Sequence, residues 1–340
     1  MRSFQCQRCG QLVFFENTEC LHCGTSLGFA ADHGELVPSE QARYRRCLNA
    51  LIAGCNWLVA DDDPIDLCPS CRLTRTRPDD SDLASAEAFR ATESAKRRLV
   101  FQLHELALPI VSRAEDSDRG LAFDLLSSRD RPVRTGHKYG VITLDLSESD
   151  DSHREAVRRQ LAEPYRTVLG HLRHEIGHYY WPLLVGRQDD AQAFRALFGD
   201  ERADYAQALE EHYRQPPSPV WDDAYVSGYA TTHPLEDWAE TFAHYLHIRD
   251  TLQTANAFGV RVSGPVAPEP ARSTPAADAA TFETILDEWL PLSYALNAVN
   301  RSMGKGDLYP FVLSPTVVEK LGFVHHVIRQ LVAFTFGSGS

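Results

Sequence analysis

Any fold for this chain has to accommodate the run Gly170 to Trp181, GHLRHEIGHYYW, as an α-helix. At about 100° per residue, Tyr165, Val168, Leu169, Leu172, Ile176 and Tyr179 fall on one apolar stripe. His174 and His178 lie one turn apart on the opposite side. Such a helix packs by one face and presents two imidazoles from the other. Two nitrogens at that spacing can reach a single Zn²⁺ at about 2.0–2.1 Å, and Glu175, on the flank of the same face, is placed to hold a water that the metal acidifies. H-E-x-x-H is therefore a metal-site signal with an open ligand position. A solvated helix face could carry the same three residues, so the motif needs a ligand from elsewhere.

Residues 229–242, YATTHPLEDWAETF, carry a second helical pattern. Pro234 suits a first helical turn. From there Trp238, Phe242, Tyr245 and Leu246 make an apolar side, and Glu236, Glu240, His244 and His247 the opposite one. The E-x-x-x-E spacing puts both carboxylates on one face, so spacing alone leaves either as the third ligand.

All eight cysteines fall in the first 71 residues. Cys6-x-x-Cys9 and Cys20-x-x-Cys23, with ten residues between the pairs, read as a Cys₄ zinc ribbon. Gly10 and Gly24 follow the second cysteine of each pair, a position that often needs φ > 0. Two disulfides would require an oxidising compartment, and Cys6 arrives before any apolar signal region could form, so a cytoplasmic chain is expected. A redox C-x-x-C belongs near a βαβ pattern, and none is apparent here. Cys47, Cys55, Cys68 and Cys71 are looser, with only Cys68-Pro69-Ser70-Cys71 forming a knuckle. Either they hold a second structural zinc, or Cys47 and Cys55 pack as small hydrophobes beside Leu51, Ile52 and Trp57. A small module with little core would gain from a metal staple, which favours zinc.

Over most of its length, from the cysteine-rich start to Tyr245, the chain resembles the bacterial zinc-binding metallopeptidases that carry an N-terminal zinc ribbon. Its two helices alone also resemble the gluzincin domain of anthrax lethal factor, where H-E-x-x-H is followed by a Tyr and, seven residues later, a Glu in an E-x-x-A-E-x-F context, here Tyr229 and Glu236. The resemblance implies an α+β fold. A zinc ribbon (1–29) and a second cysteine-rich zinc module (30–80) would precede a mainly helical, zincin-like (gluzincin) metallopeptidase domain with a small sheet (81–336). It implies Glu236 as third ligand, Tyr229 as the hydroxyl that stabilises an oxyanion, and Glu240 as partner of a ligand histidine, with Glu240 as the ligand itself still open. These roles together make a zinc-dependent endopeptidase acting on a protein or peptide, with Glu175 as general base, one catalytic Zn²⁺ and two structural ones. The rival is an adaptor that binds a protein partner through its zinc modules and keeps the peptidase-like domain as a scaffold. A scaffold, however, has no need of a general base beside a metal.

The rest of the 340 residues supports these readings without sharpening them. A net charge of −13 argues against nonspecific nucleic-acid binding through the ribbon, and no run approaches the ~18 apolar residues of a membrane span. Residues 83–108 read as a helix ended by Pro109, and 121–126 and 140–146 as strands. The latter alternates cleanly at Ile142, Leu144 and Leu146 and is expected at a sheet edge, either pairing with extended substrate or as an ordinary edge. Helices are expected at 151–161, within 189–213, at 282–299 and at 313–334. Turns or linkers are expected at 215–219 and 265–277, and 337–340 reads as an appended Gly-Ser tail. His171 reads as a surface or supporting histidine. His244 and His247 share a face with Glu236 and read as solvated or core-edge residues, with support of the site by hydrogen bonding as the alternative; Tyr179, Tyr180 and Trp181 read as packing residues, and 61–63 as a solvated acidic turn.

Overall fold

A computed structural model describes residues 2–129, 131–150, 167–186, 188–214, 221–263 and 281–337. Among them are seven α-helices and several small sheets, an α+β composition with a cysteine-rich N-terminal region. No helix among the described residues is long and apolar enough to cross a membrane. The expected elements at 151–161, 215–219 and 265–277, together with Tyr165 and 338–340, lie outside the described residues. The chain divides into two compact units. One comprises Met1–Gln102, Ile110–Arg154 and Gln253–Gly259, and the other Leu103–Pro109, Glu155–Leu252 and Val260–Ser340.

The first unit begins with three antiparallel hairpins: β1 (Phe4–Gln5) with β2 (Leu12–Val13), β3 (Leu27–Ala30) with β4 (Glu35–Pro38), and β5 (Tyr44–Arg46) with β6 (Leu58–Ala60). Gly10 and Gly24 have φ of 76° and 68°, and their N–H groups donate to the carbonyls of Cys6 and Cys20 at 2.8 Å. The left-handed residue closes each knuckle so that cysteines three apart face one point. Gly28 is required for a different reason, since a Cβ there would lie 2.5 Å from a methyl of Leu58. The expectation of little core is corrected here. Phe4, Phe15, Phe29, Trp57 and Phe101 are each at most 2% exposed, with ring centroids as close as 4.8 Å. Each buried ring contributes about 1.5–3 kcal/mol. Phe101 comes from far along the chain, which is why the local sequence did not reveal the cluster.

Phe101 lies on α1 (Leu83–Glu105), which stops before residue 108. The chain reverses at Ala107 (φ 53°), and Leu108 N–H donates to Leu103 O at 3.0 Å, a Schellman-type closure ahead of Pro109. The unit ends in a four-stranded sheet of order β7-β8-β10-β9, with β7 (Thr74–Thr76), β8 (Ala122–Leu126), β9 (Gly136–Lys138) and β10 (Val141–Asp145). Ile142, Leu144 and Leu146 are buried as the alternation required. The edge assignment is overturned, because β10 pairs in parallel with β8 and antiparallel with β9, leaving β7 and β9 as edges. Alternation reports one buried face, and an inner strand with one wet face has the same pattern.

The second unit is helical: α2 (Val168–Leu184), α3 (Gln188–Phe198), α4 (Tyr205–Arg214), α5 (Pro234–Ala257, which belongs to this unit as far as Leu252), α6 (Phe282–Ser302) and α7 (Pro315–Gly337). Thr167 caps α2, its Oγ1 accepting from Gly170 N–H at 2.9 Å. Val168, Leu172, Ile176 and Tyr179 are buried and Leu169 is half-buried, so the stripe packs as expected. The close approach to α5 is made away from that stripe, at Gly177, and was not legible. Gly177 lets α5 approach so closely that a Cβ would stand 3.0 Å from Ala239 Cα and 3.2 Å from Phe242 Cβ, and Trp238 Nε1 donates to the Gly177 carbonyl at 2.8 Å. Gly177→Ala is therefore expected to force α2 and α5 apart and to cost about 1–3 kcal/mol. Thermal unfolding measures this, and an unchanged midpoint would mean that the contact yields freely.

Candidate metal centres and active site

All eight cysteines are free thiols, and they form two groups of four whose sulfurs lie within 4.8 Å of one another: Cys6, Cys9, Cys20, Cys23 and Cys47, Cys55, Cys68, Cys71. Cys6–Cys23 and Cys9–Cys20 are separated by 3.7 Å and Cys55–Cys68 by 3.6 Å. Tetrahedral zinc with bonds of about 2.3 Å sets sulfurs about 3.8 Å apart, so both groups fit a closed structural site. Cys47 and Cys55 belong to the second cluster and do not pack apart from it. That cluster is fully buried, and α1 closes over it. Lys96 Nζ donates to Glu93 Oε1 at 2.7 Å, and Glu93 Oε2 lies 4.0 Å from Cys71 Sγ. Glu93 and Lys96 are both fully buried, and Arg97 donates to the carbonyls of Ala53 and Gly54. Buried cations beside four thiolates offset charge that a dry interior would otherwise penalise. The sequence marked these residues only as helix-forming.

In the second unit, the crossing of α2 and α5 at Gly177 brings His174, His178 and Glu236 together, with ligand atoms within 4.8 Å of one another. His174 Nε2 lies 3.2 Å from His178 Nε2 and 3.0 Å from Glu236 Oε2, and His178 Nε2 lies 3.4 Å from Glu236 Oε1. Bonds of about 2.0–2.1 Å around tetrahedral zinc put neighbouring ligands about 3.3 Å apart, so the separations fit the ion. The donor chemistry agrees, with two imidazoles and one buried carboxylate. Burial works against ionisation of Glu236, but the two histidines overcome it and hold its pKa far below the usual carboxylate range. Burial likewise opposes a charge on His174, while Glu236 and Glu240 raise its pKa well above the ordinary value. Metal binding there would release that proton.

Glu240, one turn along α5, touches the other side of His174, with Nδ1 donating to its Oε1 at 2.7 Å. An ionised carboxylate can only accept, so the contact assigns a proton to Nδ1, and Nε2 becomes a free lone pair once metal binding has displaced its own proton. The Ser227 hydroxyl donates to Glu240 Oε2 at 2.6 Å and itself accepts from Ala230 N–H at 3.2 Å, tying Glu240 to the 3₁₀ turn Tyr229–Thr231. The Tyr229 ring centroid is 5.9 Å from that of His174. Glu175 is 8% exposed, and burial raises its pKa against the opposing pull of His174 and His178.

Several residues of this centre had no signal in the sequence. The Tyr205 hydroxyl donates to Glu236 Oε1 at 2.7 Å. His233, read only as part of the run before α5, accepts from Leu235 N–H at Nδ1 and meets the Ala203 carbonyl with Nε2 at 3.1 Å. Lys320 of α7 donates to Asp237 Oδ2 at 2.6 Å and to the Ala224 carbonyl at 2.7 Å, anchoring the first turn of α5 to the segment that leads into Ser227. His244 is buried and bonds the Tyr309 hydroxyl at 2.7 Å, and the half-buried His247 meets Arg173 with Nδ1 at 3.2 Å. His171 is half-buried and outside the ligand group.

Residues 3–82 match a zinc-ribbon domain, and residues 85–327 match the family described as "Putative zinc-binding metallo-peptidase". The uncharacterized protein Rv2568c of Mycobacterium tuberculosis (strain H37Rv) and the uncharacterized protein Mb2598c of Mycobacterium bovis are each 53% identical to the chain over 336 residues, 97% of this chain and 96% of theirs. No solved structure matches. With residues 85–327, well over half of its length, in the family's match, the chain belongs to that zinc-binding metallo-peptidase family.

Proposed function

We propose that the protein is a zinc-dependent endopeptidase of the gluzincin type, with catalytic Zn²⁺ on His174, His178 and Glu236 and one structural Zn²⁺ on each Cys₄ set. The observation that carries this reading is the convergence of three ligand atoms from two helices, with the buried Glu175 in electrostatic reach of all three. When bound, zinc supplies a Lewis acid that polarises the scissile carbonyl and lowers the pKa of a water. Glu175 takes the proton of that water and returns it to the leaving amine; burial, by raising its pKa, brings it nearer to neutral pH, which suits both steps. Tyr229 donates its phenolic hydroxyl to the oxyanion as charge develops, an interaction gained chiefly in the transition state. Glu240 keeps the Nδ1 proton of His174 in place, so that Nε2 stays available. The cysteine-rich modules, 1–29 and 30–80, precede the peptidase domain and offer a surface for a protein partner.

Freshly reduced protein is expected to carry three zinc ions per chain by metal analysis and to generate new N-termini in a mixture of unstructured peptides. 1,10-Phenanthroline should abolish the cleavage, and added zinc should restore it. Two zinc ions with the active centre loaded would remove one Cys₄ assignment. Cleavage that survives complete zinc removal would end the proposal.

A further inference from the structure

α4 is too short and too wet to be a core helix, yet both of its ends touch the centre. The Tyr205 ring is 40% exposed although its hydroxyl is bonded to the buried Glu236 carboxylate. Seven residues on, two turns along the same face, the His212 ring stands edge-on to Tyr229, with centroids 5.7 Å apart and planes at 88°. Tyr229 thus has two imidazoles within 6 Å of its ring, His174 from α2 at 5.9 Å and His212 from α4 at 5.7 Å. Ala208 and Leu209, between the two contacts on that face, are half-buried, whereas Gln207, Glu210, Glu211 and Arg214 are exposed. The Tyr205 ring also packs against His233, whose imidazole ties the segment before α4 to the start of α5.

We propose that α4 is a positioning helix of the active centre, in which Tyr205 fixes the Glu236 carboxylate and His212 holds the Tyr229 ring against His174. The Tyr205 contact acts on a ligand and needs no assumption about the reaction, while the His212 contact rests on the peptidase reading. Neither is a catalytic residue, since each acts through another side chain. Burial lowers the His212 pKa, so at neutral pH it packs as an uncharged ring, T-shaped to Tyr229.

Two experiments on the full chain test this. Chelator competition on Tyr205→Phe reads zinc affinity directly, and the active-centre ion is expected to bind about 10–100-fold more weakly while the cysteine-bound ions are unaffected. Wild-type affinity in this variant overturns the proposal whether or not any peptide is cleaved. Where the wild-type protein cleaves peptide, His212→Ala should lower kcat about three- to tenfold with little change in KM, and His212→Phe, which keeps a ring, should restore most of it. In a Tyr229→Phe background His212→Ala should have no further effect, because the hydroxyl it positions is already gone. Equal losses in both backgrounds, or a Phe variant as slow as Ala, overturn the His212 assignment. A wild-type protein that cleaves nothing sinks the peptidase reading, and the zinc measurement still decides this one.

Discussion

Glu175→Gln is expected to yield a folded protein with all of its zinc that cleaves peptide bonds about 10²–10⁴-fold more slowly than the wild type. The amide keeps the shape of the side chain and one accepting oxygen, and it cannot take a proton from water at neutral pH. Zinc content should hold, because Glu175 stands outside the cluster of His174, His178 and Glu236. Stability should hold as well. Burial raises the Glu175 pKa, so ionisation costs folding free energy above its unfolded pKa, and a neutral amide removes that penalty at pH 7. The measurement is kcat/KM beside metal content and a melting curve. A variant that cleaves at the wild-type rate would exclude Glu175 as the base. If it keeps full biological activity while a Cys20 or Cys23 variant loses it, the adaptor becomes the better account.

On the proposed ligand set, Glu236→Ala should empty the active centre, taking the zinc count from three to two, because it would remove one of three protein ligands and leave the two histidines facing a cavity. Glu240→Ala should weaken the same ion by about 10–100-fold without abolishing binding, since it removes the partner that orients His174. The two carboxylates are equivalent on a helical wheel, so the pair of variants is the direct comparison. Reversed effects would make Glu240 the ligand and Glu236 its support. Anomalous scattering at the zinc edge would show which oxygen lies at bonding distance.

Much of the centre was legible because its parts repeat at short range. The phase of α2 follows from 3.6 residues per turn, and it placed His174 and His178 on one side and Leu172, Ile176 and Tyr179 on the other before any partner was known. The knuckle glycines were legible for the same reason, since a left-handed residue after C-x-x-C is a local requirement. β10 shows the boundary. Its alternation correctly named the buried face, Ile142, Leu144 and Leu146, and misplaced the strand, because hydrogen-bonding neighbours are not part of a period-two pattern.

By itself the sequence determined the local frames: two amphipathic helices with their polar faces, a ribbon of two knuckles, and the residue types able to hold zinc. Only the tertiary structure decided how those frames meet. It brought Glu236 to the histidine pair through the close crossing at Gly177, put Glu240 behind His174, and reached across with Tyr205 and Lys320 from α4 and α7. It also closed Cys47, Cys55, Cys68 and Cys71 under Glu93 and Lys96. The physical reason is the range of the interactions. Helix phase and turn chirality are set by dihedral angles within a few residues, whereas ligand convergence depends on which surfaces can pack without voids or unpaired charge, and that is a property of the whole chain.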